Sequence, residues 1–221
     1  MSRQIKLFYD VLSPYSWIAF EVLHRYRQKW NLHLQLCPFF LSGIMQLSEN
    51  RPPGVVPLKA RYMGKDIIRL AEYYRIPLNS PANPAEVLFV KGSLKAQRLL
   101  TAANLELPDK VEAISRELWM RVWSRDEDIT EDDSLVQACL KGGIAEDTIK
   151  KLLARCQDQD VKDKLKSTTQ EAFDLGAFGA PFIVVVKQKP EVFFGSDRFE
   201  LIAHMMGVKW EGPQVELAAK I

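Results

Sequence analysis

Residues 8–17, FYDVLSPYSW, constrain the fold of this chain more than any other stretch. The positions before Ser13 are mostly apolar and aromatic, and they suit a buried strand. Ser13 followed by Pro14 is typical of a helix N-cap and the first helical position. The sequence therefore predicts a strand that passes through a short turn into a helix, with the helix N-terminus exposed close to the start of the chain.

Composition limits the class of protein. The chain has 221 residues, 47% of them hydrophobic and 26% charged, with a formal net charge of +2. These values describe a globular protein with a substantial core, and so small a basic excess indicates neither nucleic-acid nor membrane-surface binding. Cys37, Cys139 and Cys156 lie far apart and show no zinc-like spacing with the histidines. We therefore expect unpaired thiols, a reducing compartment and no metal site.

Hydrophobic periodicity predicts strand, helix and strand at the start of the chain, which requires a right-handed crossover and a parallel strand pair. A loop rich in turn-forming residues follows, then a long helical stretch, and strands return only near the end. The predicted bounds are strand 4–11, helix 14–30, strand 32–36, loop 48–57, helices from 57 to about 170, strands 182–186 and 191–194, and a last helix over 197–206.

Without the helical stretch, the remaining order is βαβ followed by ββα, which is the arrangement of a thioredoxin-like fold. We therefore expect an α/β protein whose thioredoxin-like domain comprises residues 1–56 and 171–221, with a large all-helical insertion domain over 57–170. Pro181 precedes the third strand, where that fold carries a cis-proline, and X-Pro is the peptide bond in which the cis isomer is common.

Thioredoxin-like proteins usually carry C-x-x-C in the first helical turn, where the helix N-terminus stabilises a thiolate. In this chain Ser13 and Ser16 occupy both cysteine positions. The sequence thus keeps the predicted strand–turn–helix geometry but has no redox-active cysteine in it. Because serine cannot form a mixed disulfide, a true disulfide oxidoreductase is disfavoured. A thiol that takes part in the reaction has to arrive with the substrate.

Four blocks of sequence resemble the kappa class of glutathione transferases, and the resemblance covers nearly the whole chain. The blocks are FYDVLSPYSW at 8–17, RELWMRVWSR at 116–125, GAFG at 176–179 with Pro181, and FGSDR at 194–198. The resemblance implies a member of the DsbA-like thioredoxin superfamily that works as a homodimer in mitochondria or peroxisomes. It also implies glutathione as co-substrate and no tightly bound cofactor.

The resemblance also implies which residues form the site. Ser13 is the catalytic position, with its hydroxyl facing the glutathione sulfur. Ser196 and Asp197 hold the γ-glutamyl end, Asn50 contacts glutathione, and the backbone of Ala180 pairs with the cysteinyl part, although the family often has leucine there. The other implied glutathione contacts are Pro14, Tyr15, Pro181 and, near the glycyl carboxylate, Lys59.

Several of these residues also have a purely structural interpretation. Ser13 fits a helix cap, Asn50 fits a residue that satisfies turn backbone, and Asp197 fits the cap of the last helix. Trp119 and Trp123, one helical turn apart, are better interpreted as core residues than as an electrophile pocket.

The leading functional hypothesis is conjugation of the glutathione thiolate to small hydrophobic electrophiles such as aryl halides, with peroxide reduction as a related activity. Two alternatives stay open: a glutathione-dependent isomerase of the 2-hydroxychromene-2-carboxylate type, and a non-catalytic thioredoxin-like binding or chaperone module. A serine hydrolase is disfavoured, because no G-x-S-x-G surrounds Ser13 and no histidine can be assigned as its base.

Both ends of the sequence bear on localisation. No secretory signal precedes the first predicted strand. The C-terminal Ala219-Lys220-Ile221 is small, basic and aliphatic, which is the pattern of the peroxisomal tripeptide typified by S-K-L. The tripeptide therefore predicts a peroxisomal protein, and the resemblance gives the mitochondrial matrix as the alternative.

Overall fold

The structure is a computed structural model that describes residues 3–215. Its elements in chain order are β1 Arg3–Tyr9, α1 Pro14–Tyr26, β2 Leu32–Pro38, α2 Leu41–Leu47, α3 Pro57–Tyr74, α4 Leu94–Glu106, α5 Val111–Ser124, α6 Asp132–Lys141, α7 Glu146–Arg155, α8 Gln159–Asp174, β3 Phe182–Val186, β4 Glu191–Phe194 and α9 Phe199–Met206. Short 3₁₀ turns lie at Pro53–Val55 and Pro108–Lys110, and a π-helical turn lies at Glu86–Lys91.

The described strands form one mixed sheet in the order β2-β1-β3-β4. β1 and β2 run parallel, as a βαβ crossover requires, and β3 is antiparallel to both β1 and β4. The end of β1 meets the start of β3 where Phe8 pairs with Phe182. This pairing brings Ser13 and Pro181 to the same end of the sheet. The predicted order, βαβ, then helices, then ββα, is confirmed.

Two elements near the start of the chain end earlier than predicted. β1 ends at Tyr9, because the carboxylate of Asp10 turns back and accepts the backbone N–H of Leu12 at 2.9 Å. α1 ends at Tyr26 instead of residue 30, and a turn follows in which Asn31 has a φ of +50°. Polar residues that favour turns therefore shorten both elements.

Two interpretations of helices need correction. The sequence did not predict α2, a helix of 7 residues in which Ile44 is the buried side chain. So short a helix has too few apolar repeats for a periodic signal. The interpretation of Asp197 as the cap of the last helix is wrong, because α9 begins at Phe199 and its N-cap residue is Arg198, without a side-chain capping bond.

The main hydrophobic core joins the sheet to the helices that lie between β2 and β3 in the chain. The ring of Trp119 on α5 has its centroid 5.2 Å from that of Tyr9 on β1 and 4.9 Å from that of Phe20 on α1. Phe8, on the other face of β1, belongs to a smaller core with Phe39. Burial of each such ring stabilises the fold by roughly 1.5–3 kcal/mol. The predicted division at residues 57 and 170 into two domains stays a prediction.

The three cysteines are buried and unpaired, which confirms the interpretation that they are free thiols. Burial raises the pKa of Cys37 and Cys139 to about 12 and that of Cys156 to about 11. All three thiols are therefore protonated at neutral pH and do not act as nucleophiles.

Within residues 3–215, every helix is too short or too polar to span a bilayer. The tripeptide Ala219-Lys220-Ile221 lies outside the described residues, so the expectation of peroxisomal targeting stays a prediction.

Candidate active site

Ser13 is the N-cap residue of α1, as the sequence predicts. Its φ of −91° and ψ of 113° are extended, and its side-chain oxygen accepts the backbone N–H of Ser16 at 3.1 Å. Pro14 follows as the first helical residue, where its lack of an N–H costs no helical hydrogen bond. This local chemistry holds the hydroxyl of Ser13 at the positive end of the helix dipole.

The segment before β3 lies opposite Ser13. The peptide bond between Ala180 and Pro181 is cis, which confirms the expectation of a cis-proline. The hydroxyl of Ser13 donates to the carbonyl oxygen of Ala180 across a distance of 3.3 Å. This is long for an O–H···O hydrogen bond, whose usual distance is about 2.7–2.8 Å. Residues 167 positions apart therefore meet at one point, with a weak contact between them.

A cavity of about 380 Å³ opens beside this contact. Five of the residues that the sequence assigns to the site lie in its wall, namely Ser13, Pro14, Tyr15, Asn50 and Ala180. The rest of the wall is largely apolar and includes Leu12, Met45, Met63, Leu88, Phe89 and Phe194. None of the wall residues that the structure describes is a cysteine, histidine or lysine. Their side-chain hydroxyls are those of Ser13, Tyr15 and Ser42, and of these three residues Ser13 is the one at a helix N-cap position.

Asn50 closes one side of the cavity by binding two backbone groups. Its side-chain amide donates to the carbonyl oxygen of Phe178 at 2.7 Å, and its side-chain oxygen accepts the N–H of Arg51 at 2.8 Å. The first bond fastens the loop after α2 to the segment that leads to Pro181. These contacts agree with the structural interpretation of Asn50, and its role toward glutathione stays a prediction.

Four of the predicted site residues do not line the cavity. Lys59 is exposed on the first turn of α3, and Pro181 is buried behind Ala180. Ser196 is buried, and its carbonyl oxygen accepts the hydroxyl of Tyr74 at 3.2 Å. The exposed carboxylate of Asp197 pairs with Arg198 at 3.1 Å.

The turn that contains Ser196 and Asp197 is nevertheless bonded to the segment before β3, because Gly195, the residue before Ser196, contacts that segment. The N–H of Gly195 donates to the carbonyl oxygen of Pro181 at 3.1 Å. Gly195 has a φ of +102°, a conformation that favours glycine, and a β carbon there would lie 2.9 Å from a carboxylate oxygen of Asp197. The turn after β4 thus holds Asp197 beside the cis-proline segment.

Tyr15 connects the cavity wall to α3. Its hydroxyl donates to the carboxylate of Asp66 at 3.0 Å. Burial, with the nearby negative charge of Asp66, raises the pKa of Tyr15 above its ordinary value. The phenol is therefore neutral at physiological pH and can act in the site only as a hydrogen-bonding and packing group.

A buried carboxylate below the turn was missed by the sequence analysis. Asp10 is fully buried and accepts three hydrogen bonds, from the N–H of Leu12 at 2.9 Å, the N–H of Leu41 at 3.0 Å and the hydroxyl of Ser93 at 2.8 Å. Burial raises the pKa of this carboxyl to about 6, and the three hydrogen bonds oppose the rise. Asp10 thereby joins the turn that carries Ser13 to the starts of α2 and α4.

Two tryptophans of α5 support the same turn from the core. The indole N–H of Trp119 donates to the carbonyl oxygen of Ser13 at 3.2 Å, and that of Trp123 donates to the carbonyl oxygen of Val11 at 3.2 Å. Both rings are almost completely buried. They do not line the cavity beside Ser13, which agrees with their interpretation as core residues.

The arrangement can stabilise an anion beside Ser13 but supplies no strong nucleophile of its own. Within residues 3–215, no group of three or more histidine, cysteine or acidic side chains could hold a metal ion. The anion that the arrangement can stabilise is one that a bound molecule can carry.

Comparison with known proteins gives a consistent result. A family model described as the DSBA-like thioredoxin domain matches residues 4–207. Glutathione S-transferase kappa 1 of Homo sapiens is 49% identical over 214 residues, which cover 96% of this chain and 95% of that protein. The protein of the same name from Rattus norvegicus is 47% identical over 212 residues, with 96% and 94% covered.

Among solved structures, a 2-hydroxychromene-2-carboxylate isomerase aligns with a TM-score of 0.76 at 20% identity, covering 92% of this chain and 94% of that one. At this identity the likeness shows the fold alone. Together with the observed topology, it confirms the predicted α/β thioredoxin-like fold of DsbA type. The chain therefore belongs to the DsbA-like thioredoxin family and, within it, to the kappa glutathione S-transferases.

Proposed function

We propose that this protein is a glutathione transferase that joins the thiolate of glutathione to small hydrophobic electrophiles. The observation that carries the proposal is the hydroxyl of Ser13, held at the N-terminus of α1 in the wall of a largely apolar cavity. Relatives named glutathione S-transferase kappa 1, nearly half identical over almost their whole length, support the same activity. The sulfur that reacts is then that of the bound tripeptide.

In this proposal glutathione lies between the start of α1 and the segment before β3. Ser13 faces the sulfur, the backbone of Ala180 pairs with the cysteinyl residue, and Asn50 flanks the peptide from the loop after α2. Ser196 and Asp197 hold the γ-glutamyl end, reached along the turn that Gly195 fastens to Pro181. The other proposed contacts are Pro14, Tyr15, Pro181 and Lys59.

The hydroxyl of Ser13 is well prepared to stabilise a thiolate. The N–H of Ser16 already donates to its oxygen, and a hydroxyl that accepts one hydrogen bond becomes a stronger donor. Its acceptor in this structure, the carbonyl oxygen of Ala180, is 3.3 Å away and is held only weakly. A sulfur anion can therefore replace that carbonyl at small cost.

The free energy that such a site supplies matches the free energy needed to lower the pKa of the glutathione thiol. Free glutathione has a thiol pKa near the cysteine reference of about 8.5, and lowering it by ~2 units requires about 2.7 kcal/mol. A charge-assisted hydrogen bond contributes roughly 1.5–3 kcal/mol, and a helix N-terminus roughly 0.3–1 kcal/mol. Serine can thus activate the thiol without a cationic side chain and without acting as a nucleophile.

Ser13→Ala tests the proposal directly. Titration of the ultraviolet thiolate absorbance gives the pKa of bound glutathione, and an aryl-halide assay gives the conjugation rate. We expect the pKa to rise by about 1–2 units and the rate at neutral pH to fall by about 10–100-fold, with glutathione affinity within a few-fold. Ser16→Ala is the matched control, because the Ser16 hydroxyl is buried and unbonded within the described chain and should not affect the rate. Full turnover by Ser13→Ala would exclude the assigned role.

Product analysis separates this hypothesis from the two alternatives. A stable thioether supports the transferase, whereas a rearranged substrate with glutathione recovered unchanged supports the isomerase. Absence of any thiolate signal on addition of glutathione would favour a non-catalytic binding or chaperone module. Reduction of a hydroperoxide to its alcohol, with two glutathione molecules oxidised to the disulfide, is a related activity to measure in parallel.

We also propose that the protein acts as a homodimer. Leu58 and Tyr62 lie four residues apart on one face of α3 and are 74% and 60% exposed, an arrangement that favours contact with another chain. Sedimentation velocity at micromolar concentration tests this proposal, and a single monomeric species would contradict it.

Localisation to peroxisomes, or to the mitochondrial matrix, is a further proposal. It rests on Ala219-Lys220-Ile221 and on the sequence resemblance. Imaging of the chain with a fluorescent protein at its N-terminus, with and without the last three residues, tests the peroxisomal case. An unchanged distribution after the deletion would contradict a targeting role for the tripeptide.

A further inference from the structure

A groove of about 300 Å³ lies between α2, α4 and α8, and we call it the basic groove. Three cationic side chains line it, those of Arg98, Lys162 and Lys166, and none of the wall residues that the structure describes is acidic. The apolar side chains in the same wall are those of Phe40, Leu47, Leu94 and Leu165. The groove therefore combines positive charge with apolar surface.

The basic groove is separate from the cavity beside Ser13, because α2 lies between them. Ser42 and Met45 of α2 line the cavity, whereas Gly43 and Gln46 of the same helix line the groove. The two spaces have no described wall residue in common. A molecule in the basic groove would thus occupy a site of its own, outside the proposed glutathione site.

Hydrogen bonds fix the helices that form the basic groove. The N–H of Phe40, just before α2, donates to the hydroxyl of Thr169 on α8 at 2.9 Å. The carboxylate of Asp10 accepts the N–H of Leu41 at 3.0 Å and the hydroxyl of Ser93 at 2.8 Å, which holds the starts of α2 and α4 on one buried group. These bonds argue for a formed groove.

The two half-buried cations of the groove lack a counter-charge. Within residues 3–215, the side chains of Arg98 and Lys162 make neither an ion pair nor a hydrogen bond. Lys95, one turn before Arg98 on α4, differs from them because it pairs with Asp132 at 2.8 Å. Partial burial of an unpaired cation costs free energy, and a bound anion would recover it.

The apolar part of the wall is left partly open to water. Leu47 and Leu94 are 45% and 39% exposed, and Leu165 beside them is buried. An aliphatic chain that covers these side chains gains up to about fourfold in affinity for each methylene removed from water. The volume lies at the lower end of the roughly 300–1,000 Å³ that small-molecule pockets span, which favours a small ligand.

We infer that the basic groove binds a small amphiphilic anion, with a carboxylate-like head at Arg98 and Lys162 and a straight apolar tail along Leu94 and Leu165. A planar guanidinium pairs well with a carboxylate, and the lysine adds a second positive charge. This inference goes beyond the proposed function and does not depend on it.

Calorimetry with monomeric decanoate, below its micelle concentration, tests the cationic part of the groove. We expect Arg98→Gln and Lys162→Gln each to lower decanoate affinity by about fivefold to tenfold, because each removes one partner of a partly buried ion pair. Lys164→Gln is the matched control, since it removes the same charge from α8 at an exposed position outside the groove. Its effect should stay within about twofold. Decylammonium, with the same tail and the opposite charge, should bind about tenfold more weakly than decanoate or worse.

Leu94→Ser tests the apolar part of the groove, because Leu94 lies in its wall at the first position of α4. Wild-type affinity should rise by about tenfold or more from hexanoate to decanoate. Leu94→Ser should lose most of this gain. Leu105→Ser is the matched control, since Leu105 is 45% exposed on the same helix and lies outside the groove, and it should keep the full gain.

Methyl NMR locates the bound decanoate directly. The methyl signals of Leu165, in the wall of the basic groove, should shift on titration. The methyl signal of Met63, in the wall of the cavity beside Ser13, should stay in place. The opposite pattern would place the fatty acid in that cavity and would overturn the inference.

Three calorimetric results would also overturn it: equal binding of decylammonium, equal effects of Lys164→Gln and Lys162→Gln, or a chain-length gain that Leu94→Ser leaves intact. Binding to phosphatidylglycerol vesicles without binding of monomeric decanoate would show that the cations meet a membrane surface, and would overturn it as well.

The inference and the proposed function fail separately. Ser13→Ala should bind decanoate as the wild type does, because Ser13 lies outside the basic groove. Loss of conjugation with decanoate binding intact would therefore leave the groove assigned, and loss of decanoate binding in Lys162→Gln should leave the thiol pKa of bound glutathione unchanged.

Discussion

The indole N–H of Trp119 donates to the carbonyl oxygen of Ser13 at 3.2 Å, so a core residue of α5 holds the backbone of the proposed catalytic residue. The same carbonyl also accepts the N–H of Trp17 at 3.4 Å, as the first hydrogen bond of α1. The position of the Ser13 hydroxyl therefore depends on helix capping from one side and on the hydrophobic core from the other.

Trp119→Phe removes this support while it keeps an aromatic ring in the core. We expect the free energy of unfolding to fall by about 1–3 kcal/mol, through the lost hydrogen bond and the smaller ring. The thiol pKa of bound glutathione should also rise, because the hydroxyl of Ser13 is less well positioned. Urea denaturation and thiolate titration measure the two effects.

Trp123→Phe is the control for that experiment, because it removes a hydrogen bond of equal length to Val11, two residues before Ser13. We expect a similar loss of stability with a smaller change in the thiol pKa. Equal changes in the thiol pKa for both variants would show that Trp119 has no special effect on Ser13.

Asp10→Asn should change how stability depends on pH. The pKa of Asp10 rises from 3.8 to about 6 on folding, so between these values the folded protein binds more protons than the unfolded chain. The contribution of Asp10 to stability therefore increases as the pH falls from 7 through 6 toward 4. The gap between the two pKa values corresponds to about 3 kcal/mol.

Thermal or urea unfolding of both proteins across this pH range tests the prediction, with stability expressed as wild type minus Asp10→Asn so that other carboxyl groups cancel. The difference should increase toward acid pH. Ser93→Ala, which removes a hydrogen bond that lowers the pKa of Asp10, should move the rise to higher pH. A difference that is constant with pH would contradict the buried, titrating carboxyl.

The hydrogen bond between Tyr15 and Asp66 should stabilise the contact of α1 with α3. A double-mutant cycle of Tyr15→Phe and Asp66→Asn isolates its energy, and we expect a coupling of about 1–2 kcal/mol, because the acceptor is charged and the pair is only partly buried. Urea denaturation of the four proteins gives this value. Additive effects of the two substitutions would mean that the bond does not form in solution.

The parts of the fold that could be predicted from sequence depend on short-range chemistry. Ser13 and Pro14 specify a helix start by themselves, and the apolar strand at 182–186 is recognisable without its neighbours. The resemblance to a family supplied Asn50 and Ala180, and the structure places both in the cavity wall with Ser13.

The missed parts depend on contacts between distant segments. Ser93 bonds to Asp10 across 83 positions, and nothing in the pattern around either residue indicates the other. The place of Phe89 in the wall of the cavity beside Ser13 could not be predicted either, because Phe89 belongs to a π-helical turn without a periodic signal of its own. The interpretation of Asp197 as a helix cap was wrong because the N-cap residue of α9 is one residue later, at Arg198.

Ser13→Cys tests the helix N-terminus as an anion site independently of any conjugation activity. A thiol at this N-cap position should have a lowered pKa, as in thioredoxin-like proteins. Its thiolate should attack glutathione disulfide, forming a mixed disulfide with one half and releasing the other half as glutathione thiolate.

Mass spectrometry after incubation with glutathione disulfide should show one added glutathione in the variant. The wild type should gain none, because burial raises the pKa of its three cysteines to about 11–12. Ser16→Cys, fully buried one helical turn later, should also remain unmodified. Equal modification of both serine variants would contradict a specific stabilisation of anions at the start of α1.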